Sequence, residues 1–331
     1  MTCLVRRREL LTLLAGTAAG WSTSALSQTA RKPAAIAWIS GNNEKSGMIY
    51  AGYFLNGMRD LGYVEGRTFT MSYHFSGGYQ DRLPSLAEEV VRLNPNVIVG
   101  SAVVAAVAAR KVTSTIPIVC PALADAVHLG LVESEARPGG NVTGVEPYVP
   151  GLPAKQMEIA REIASGARSV GLLTDLKDPK TPPQVQELEA AGRALDVKVI
   201  TAGASQPDGI VGALQKLMTE RVDVIIVLQS TMLLGNSRPI AETASQLRVP
   251  VIYGYREHVV AGGLMSYGVD LRWCFHRGAY FVDKILHGAA PRDLPVEFPT
   301  KLLLSVNLKA ANAIGFRISE AFLLRADEVI E

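Results

Sequence analysis

The chain has 331 residues, 48% of them hydrophobic, and a formal net charge of +2. That apolar fraction is enough for a full buried core, and the near-neutral balance without a basic stripe excludes the usual footprint of a nucleic-acid binder. Beyond an N-terminal leader, about 300 residues remain, more than a single core usually serves, so two domains are expected.

Residues 1–27 read as a cleavable export signal. Arg6, Arg7 and Arg8 give a basic start, Leu10 to Ala19 an apolar run too short to span a bilayer, and Ser22 to Ser27 a small-residue stretch with cleavage expected between Ser27 and Gln28. Arg7-Arg8 ahead of Glu9-Leu10-Leu11 fits the twin-arginine variety, with an ordinary signal carrying one extra Arg as the alternative. No second apolar stretch is long enough to cross a membrane. Cys3 precedes the apolar run, so it is not a lipid-modified cleavage-site cysteine. Cys120 and Cys274 lack CxxC spacing and read as buried free thiols, with a disulfide as the alternative.

After the leader, short β-branched runs alternate with stretches of helical period, the pattern of an α/β protein with parallel sheets. Ala35–Ile39 reads as a strand, Ile49–Leu61 as a helix closed by Gly62, Phe69–Phe75 as a strand and Asp81–Arg92 as a helix. Asn96–Val99 and Ile116–Val119 frame a strand, a helix and another strand. Pro138-Gly139-Gly140-Asn141 comes next, then a short strand at Val142–Gly144. Glu146 to Pro153, with three prolines, reads as a stiff linker. The second half repeats this grammar: strand Ser169–Leu173, helix Gln184–Leu195, strand Lys198–Thr201, helix Asp208–Glu220. Asp223–Val227 then echoes Asn96–Val99, and Val249–Ile252 echoes Ile116–Val119, as if two lobes shared one plan. The tail departs from the pattern. A strand near Gly263–Tyr267, a helix Leu271–Leu286, a Pro-rich stretch and a strand Leu302–Val306 suggest a chain that recrosses between lobes. The expected division is 34–146 with about 269–300 in the first lobe, and 153–268 with about 301–331 in the second.

Enzymatic and cofactor motifs are sparse. There is no GxxxxGK[ST] loop, one glycine where a dinucleotide fingerprint needs three, no GxSxG and no HExxH. His74, His128, His258, His276 and His287 are scattered and form no metal pair. No metal and no cofactor are expected.

Open parallel sheets bind ligands outside the carboxyl ends of their strands. In the first lobe this rule selects Ser40 to Asn43 (Ser40 and Asn42 above all), Gly100-Ser101-Ala102, and Pro121 to Asp125. In the second it selects Thr174-Asp175, Gln229-Ser230-Thr231 and Gly254-Tyr255-Arg256. Ser101 follows a strand and opens a helix, so its hydroxyl and the free N–H groups near Ala102 suit a ligand carboxylate; a plain helix cap is the alternative. Asp125 suits a ligand ammonium or hydroxyl, or caps a helix near Ala126. Gln229 and Ser230 supply uncharged donors and acceptors. Arg256 clamps a carboxylate or pairs with Glu257. Tyr148, Tyr253 and Tyr255 wall an aromatic ligand or fill a core.

Several segments resemble the ABC-transporter substrate-binding protein family that includes the TrpX-like tryptophan- and tyrosine-binding proteins. They are Leu61–Gly66, Leu131–Ser134 with Ala136–Gly144, Gly262–Gly268, Tyr280 with Val282–Leu286, Leu294–Glu297, Pro299–Lys301 and Leu323–Glu331. The resemblance implies a type I periplasmic-binding-protein fold, with two Rossmann-like lobes joined by three crossings around a ligand cleft. It also implies a membrane permease and a cytoplasmic ATPase as partners. Two departures bear on the ligand: Asp125-Ala126-Val127 where the family commonly has Asp-Pro-Val, and Thr174 to Pro179 where it often has an Asn-Pro loop. An aromatic amino acid therefore does not simply carry over. The expected function is a monomeric periplasmic receptor that captures an amino-acid-like or other carboxylate by hinge closure, not an enzyme. A receptor-coupled sensor, or an exported enzyme using Asp125 or Asp175 as acid or base, are the alternatives.

Overall fold

The computed structural model describes residues 32–147 and 149–331; the proposed leader and Tyr148 lie outside the described residues. In the first lobe, β1 (Ala34–Ser40), β2 (Phe69–Phe75), β3 (Val97–Gly100), β4 (Ile118–Cys120) and β5 (Val142–Gly144) form an all-parallel sheet in the order β2-β1-β3-β4-β5. Helices α1 (Glu44–Asp60), α2 (Leu83–Arg92) and α3 (Val103–Val112) connect the first four strands.

The second lobe contains α4 (Leu152–Ile163), β6 (Ser169–Asp175), α5 (Thr181–Ala194), β7 (Lys198–Ala204), α6 (Ile210–Thr219) and β8 (Val224–Val227). The chain continues through α7 (Thr231–Gly235), α8 (Ser237–Leu247), β9 (Val251–Tyr253), α9 (Arg256–Val260) and β10 (Met265–Val269). Its sheet runs β12-β11-β10-β9-β8-β6-β7, so β7-β6-β8-β9-β10 repeats the winding of the first sheet strand for strand. The sequence echo is therefore architectural: Val97–Val99 and Val224–Val227 are the corresponding central strands, buried throughout as parallel strands with both faces covered must be.

After β10 the chain returns to the first lobe as α10 (Leu271–Leu286), then re-enters the second as β11 (Leu302–Asn307), followed by α11 (Leu308–Ile314), α12 (Glu320–Leu323) and β12 (Glu328–Ile330). With the passage between β5 and α4, this makes three crossings. β11 runs antiparallel to β10, a departure from the expected all-parallel sheet. The reason is the path: β6 to β10 run toward the interlobe side, whereas β11 enters from it and β12 runs parallel to β11. The crossings are tied together by a Val145–Glu297 bridge and by the Arg277 guanidinium, which donates to both Glu297 carboxylate oxygens at 2.6 and 2.8 Å.

Two elements differ from their sequence readings for local reasons. α1 starts five residues before Ile49 because the Asn43 side chain accepts from the Ser46 N–H at 3.0 Å and caps it there. The proline-rich linker ends at Gly151, since α4 carries Pro153 in its first turn, where a missing N–H costs nothing.

Apolar clusters cover both faces of each sheet. In the first lobe, α10 supplies Phe275, Ala279 and Phe281 to a core shared with Trp38, Phe54 and Met58. α1 and α10 approach most tightly at Gly57, where an added Cβ would stand 2.4 Å from the His276 carbonyl oxygen and 2.8 Å from the Ala279 Cβ. Gly57→Ala is therefore expected to destabilise the protein by about 1–3 kcal/mol through overpacking, read as a lower urea midpoint at unchanged m-value. An unchanged midpoint would contradict the packing described.

Candidate functional site

The carboxyl ends of the two sheets face each other across a polar seam. Gln80 Nε2 donates to Asp175 Oδ2 at 3.0 Å, Lys177 Nζ meets Asp81 Oδ2 at 2.7 Å, and Asn43 Nδ2 donates to the Gly235 carbonyl at 3.4 Å. Within the seam lies a cavity of about 20 Å3. The first lobe lines it with Asn42, Tyr50, Ser101, Ala102 and Ala122, together with Leu271 and Phe275 from α10. The second contributes Lys180, Ser230, Thr231, Leu234 and Tyr255. That volume holds roughly one water, so in this arrangement the lobes leave no room for a larger solute.

Ser101 is 3% exposed, and its hydroxyl has no hydrogen-bond partner in the protein. It is not the plain cap of the alternative reading: Ala102 occupies the cap position of α3, and no side chain caps that helix. The unpartnered hydroxyl thus adjoins the open N–H groups of a helix start, a favourable place for an anion. Asn42 Oδ1 is likewise buried without a partner.

Across the cavity, Lys180 is 4% exposed. Burial works against its charge, but the Asp178 carboxylate, Tyr255 and Asp175 more than offset this, so its pKa lies above lysine's ordinary value. Its Nζ is 3.8 Å from Asp178 Oδ2, an atom that also accepts from the Thr231 N–H at 3.3 Å. Burial raises the pKa of Tyr50 and of Tyr255, so both hydroxyls stay protonated at neutral pH.

The sequence-selected residues divide clearly. Asn42, Ser101, Ala102, Ser230 and Tyr255 converge on the cavity, as do Ala122 and Thr231 from the selected loops. The others that are described do not line it. Ser40 is buried beneath, its hydroxyl accepting from the Asn42 N–H at 3.2 Å. Thr174 turns into the second sheet and Asp175 latches the seam. Gln229 is locked inside the second lobe, donating from Nε2 to the Gly254 carbonyl, while its backbone N–H donates to Gln184 Oε1 and its carbonyl accepts from Gln184 Nε2. Asp125 adopts φ +49°, and its N–H donates to the Glu146 carboxylate. Arg256 pairs with Glu328 rather than with a ligand or Glu257, whose carboxylate is buried without a partner. Tyr253 packs in the second-lobe core, its ring stacked 4.8 Å from His258.

Lys180, Tyr50, Leu234 and the α10 residues were not selected from the sequence. Lys180 lies beyond the first few residues after β6, directly before α5; extending the strand-end rule to the next helix start would have found it. Cys120 and Cys274 are buried free thiols. Among the described residues no cluster could hold a metal, and no helix is long and apolar enough to cross a membrane.

Comparison with known proteins agrees with this architecture. The model of the family described as ABC transporter substrate binding protein matches residues 37–330. A protein named tyrosine-binding protein from Clostridioides difficile (strain R20291) is 23% identical over 278 residues, covering 83% of this chain and 80% of its own length. The crystal structure of an ABC domain in complex with L-Trp from Streptococcus pneumoniae is 24% identical, with a TM-score of 0.82 over 90% of this chain and 100% of its own. A conserved domain protein from Vibrio cholerae O1 biovar El Tor str. N16961 is 28% identical, with a TM-score of 0.84 and the same coverage.

Two buried acids make the fold pH-sensitive. Burial, and then the Asp178 charge, push Asp175 up to about 6; burial pushes Glu257 up to about 7. The folded state therefore binds their protons more tightly than the unfolded state, and their contribution to stability falls as pH rises from roughly 4 to 7. His258, lowered to about 4 by burial, acts in the opposite direction over much of that window. The informative quantity is thus a difference between proteins. Asp175→Asn with Glu257→Gln is expected to gain stability over the parent progressively from pH 4 to pH 8 in denaturant titrations, and a constant difference would refute the assignment.

Proposed function

Because the chain belongs to the ABC transporter substrate-binding protein family, we propose that it is the periplasmic solute receptor of an ABC importer, closing its two lobes around a small carboxylate. The observation that carries this reading is the cavity at the seam, where unpartnered polar groups of the first lobe oppose a buried ammonium of the second. Neither lobe alone presents Ser101, Asn42 and Lys180 together. A solute touching all three binds the shut form better than the open one and shifts the balance between them. Moving that balance from mostly open to mostly shut takes about 5.5 kcal/mol of differential binding. One hydrogen bond to a charged group supplies about 1.5–3 kcal/mol, so contacts from both lobes are needed.

The Arg7-Arg8 leader delivers the protein to the periplasm, and removal of residues 1–27 frees it. There it works as a monomer. Its partners are an inner-membrane permease, which reads the shut form, and a cytoplasmic ATPase. The binding residues are Asn42, Ser101, Ala102, Ser230 and Tyr255, joined by Lys180, with Asp175 as the seam latch. Protein recovered from its own periplasm is expected to carry a small molecule in native mass spectrometry. After unfolding, dialysis and refolding, the stripped protein should show a larger radius of gyration by X-ray scattering. Equal radii for loaded and stripped protein would sink hinge closure.

A further inference from the structure

The charges around the cavity narrow the solute further, given the receptor reading above. We infer that the cleft selects a carboxylate that carries no ammonium group, borne on an apolar body. Among the described residues that line the cavity, Lys180 is the one charged side chain and no carboxylate is present. Of the nearby acids, Glu257 acts on Tyr50 but does not line the cavity, and burial pushes it up to about 7; the other two are already engaged. Asp178 is buried behind Lys180, accepting from the Lys180 N–H at 2.9 Å and from the Thr231 N–H. Asp175 accepts from Gln80 across the seam and from the Lys177 N–H at 3.0 Å.

An α-amino acid would bring its ammonium into this space with no carboxylate lining it, and close to the Lys180 ammonium. Both effects oppose binding: an unpaired buried charge loses its hydration, and like charges repel strongly where water is excluded. A plain carboxylate meets the reverse situation. The Ser101 hydroxyl and the α3 start are donors with no internal acceptor, and Lys180 supplies the positive field. Rings line the remainder: Tyr50 and Phe275 have centroids 5.0 Å apart, and Tyr255 faces them from the other lobe.

Three probes with one carbon skeleton separate the terms: 3-phenylpropanoate, L-phenylalanine and 2-phenylethylamine, titrated calorimetrically into stripped protein. The first is expected to bind at least roughly tenfold more tightly than the second, and the third not at all. L-Phenylalanine binding as well or better would overturn the inference while leaving a solute receptor intact. Failure of all three would also overturn it, and the retained molecule seen by mass spectrometry would then judge the receptor reading separately. Lys180→Met combined with Asp178→Asn removes both charges together, so no buried carboxylate is left unpaired. It should cost 3-phenylpropanoate roughly tenfold in affinity and cost L-phenylalanine nothing; equal losses for both would deny Lys180 its selecting role. Ser101→Ala removes a hydroxyl that no internal group uses. It should keep the melting temperature and weaken 3-phenylpropanoate binding, whereas unchanged binding would remove Ser101 from the site.

Discussion

An ammonium ion cut off from water has to be compensated, and the floor of the cleft is organised around compensating Lys180. Asp178 faces its Nζ at 3.8 Å, and Asp178 is itself held by the backbone N–H groups of Lys180 and Thr231. The loop after β6, the start of α5 and the start of α7 thus meet at one ion pair. Taking away one partner of such a pair leaves a bare buried charge, which costs far more than the pair contributes. The arrangement does not by itself make the lobe more stable. Its effect is to hold a positive charge at a fixed place on a surface the other lobe covers.

The seam above that pair is unlike the cores below it. Each sheet is sealed by apolar clusters on both faces, whereas the lobes meet through individual polar contacts such as Gln80 with Asp175 and Lys177 with Asp81, and through Leu234 and Tyr255 against Tyr50 and Phe275. The Lys177 pair is well exposed, and exposed pairs contribute about 0–1 kcal/mol. Packed cores resist continuous deformation, while a few such contacts separate readily. Flexing is therefore directed to the crossings. The Val145–Glu297 bridge binds two of those crossings to each other, and the Arg277–Glu297 fork anchors one of them to α10.

The sequence disclosed the parts of this design that have a local signature. Runs such as Val224–Val227 announce strands buried on both faces, and the bounds of α10 follow from its period. Ser101 was legible because a strand end, a small polar residue and a helix start fall together. Other features leave no such mark. Direction is invisible in a strand's alternation, so β11 looked like its parallel neighbours. Thr174 and Gln229 sit at strand ends as expected, but neighbouring side chains there point to opposite sides, and these two turn into the second lobe. Arg256 had an acid beside it in sequence, yet its partner, Glu328, comes from the last strand. Lys180 was missed because its importance lies in burial, and burial is a property of the assembled lobes.

The late position of α10 governs the order in which the molecule can be completed. The first sheet is finished at Gly144, but one of its faces, where Trp38 packs on Phe54 of α1, lacks the rest of its cover until Leu286 has been synthesised. Contiguous domains ordinarily fold as they emerge from the ribosome. Here the half that is translated first cannot be completed until every strand of its neighbour up to β10 exists. A secretion machine that threads extended chain must keep that greasy face unsatisfied throughout transit, whereas one that accepts finished cargo meets it only after it has been covered.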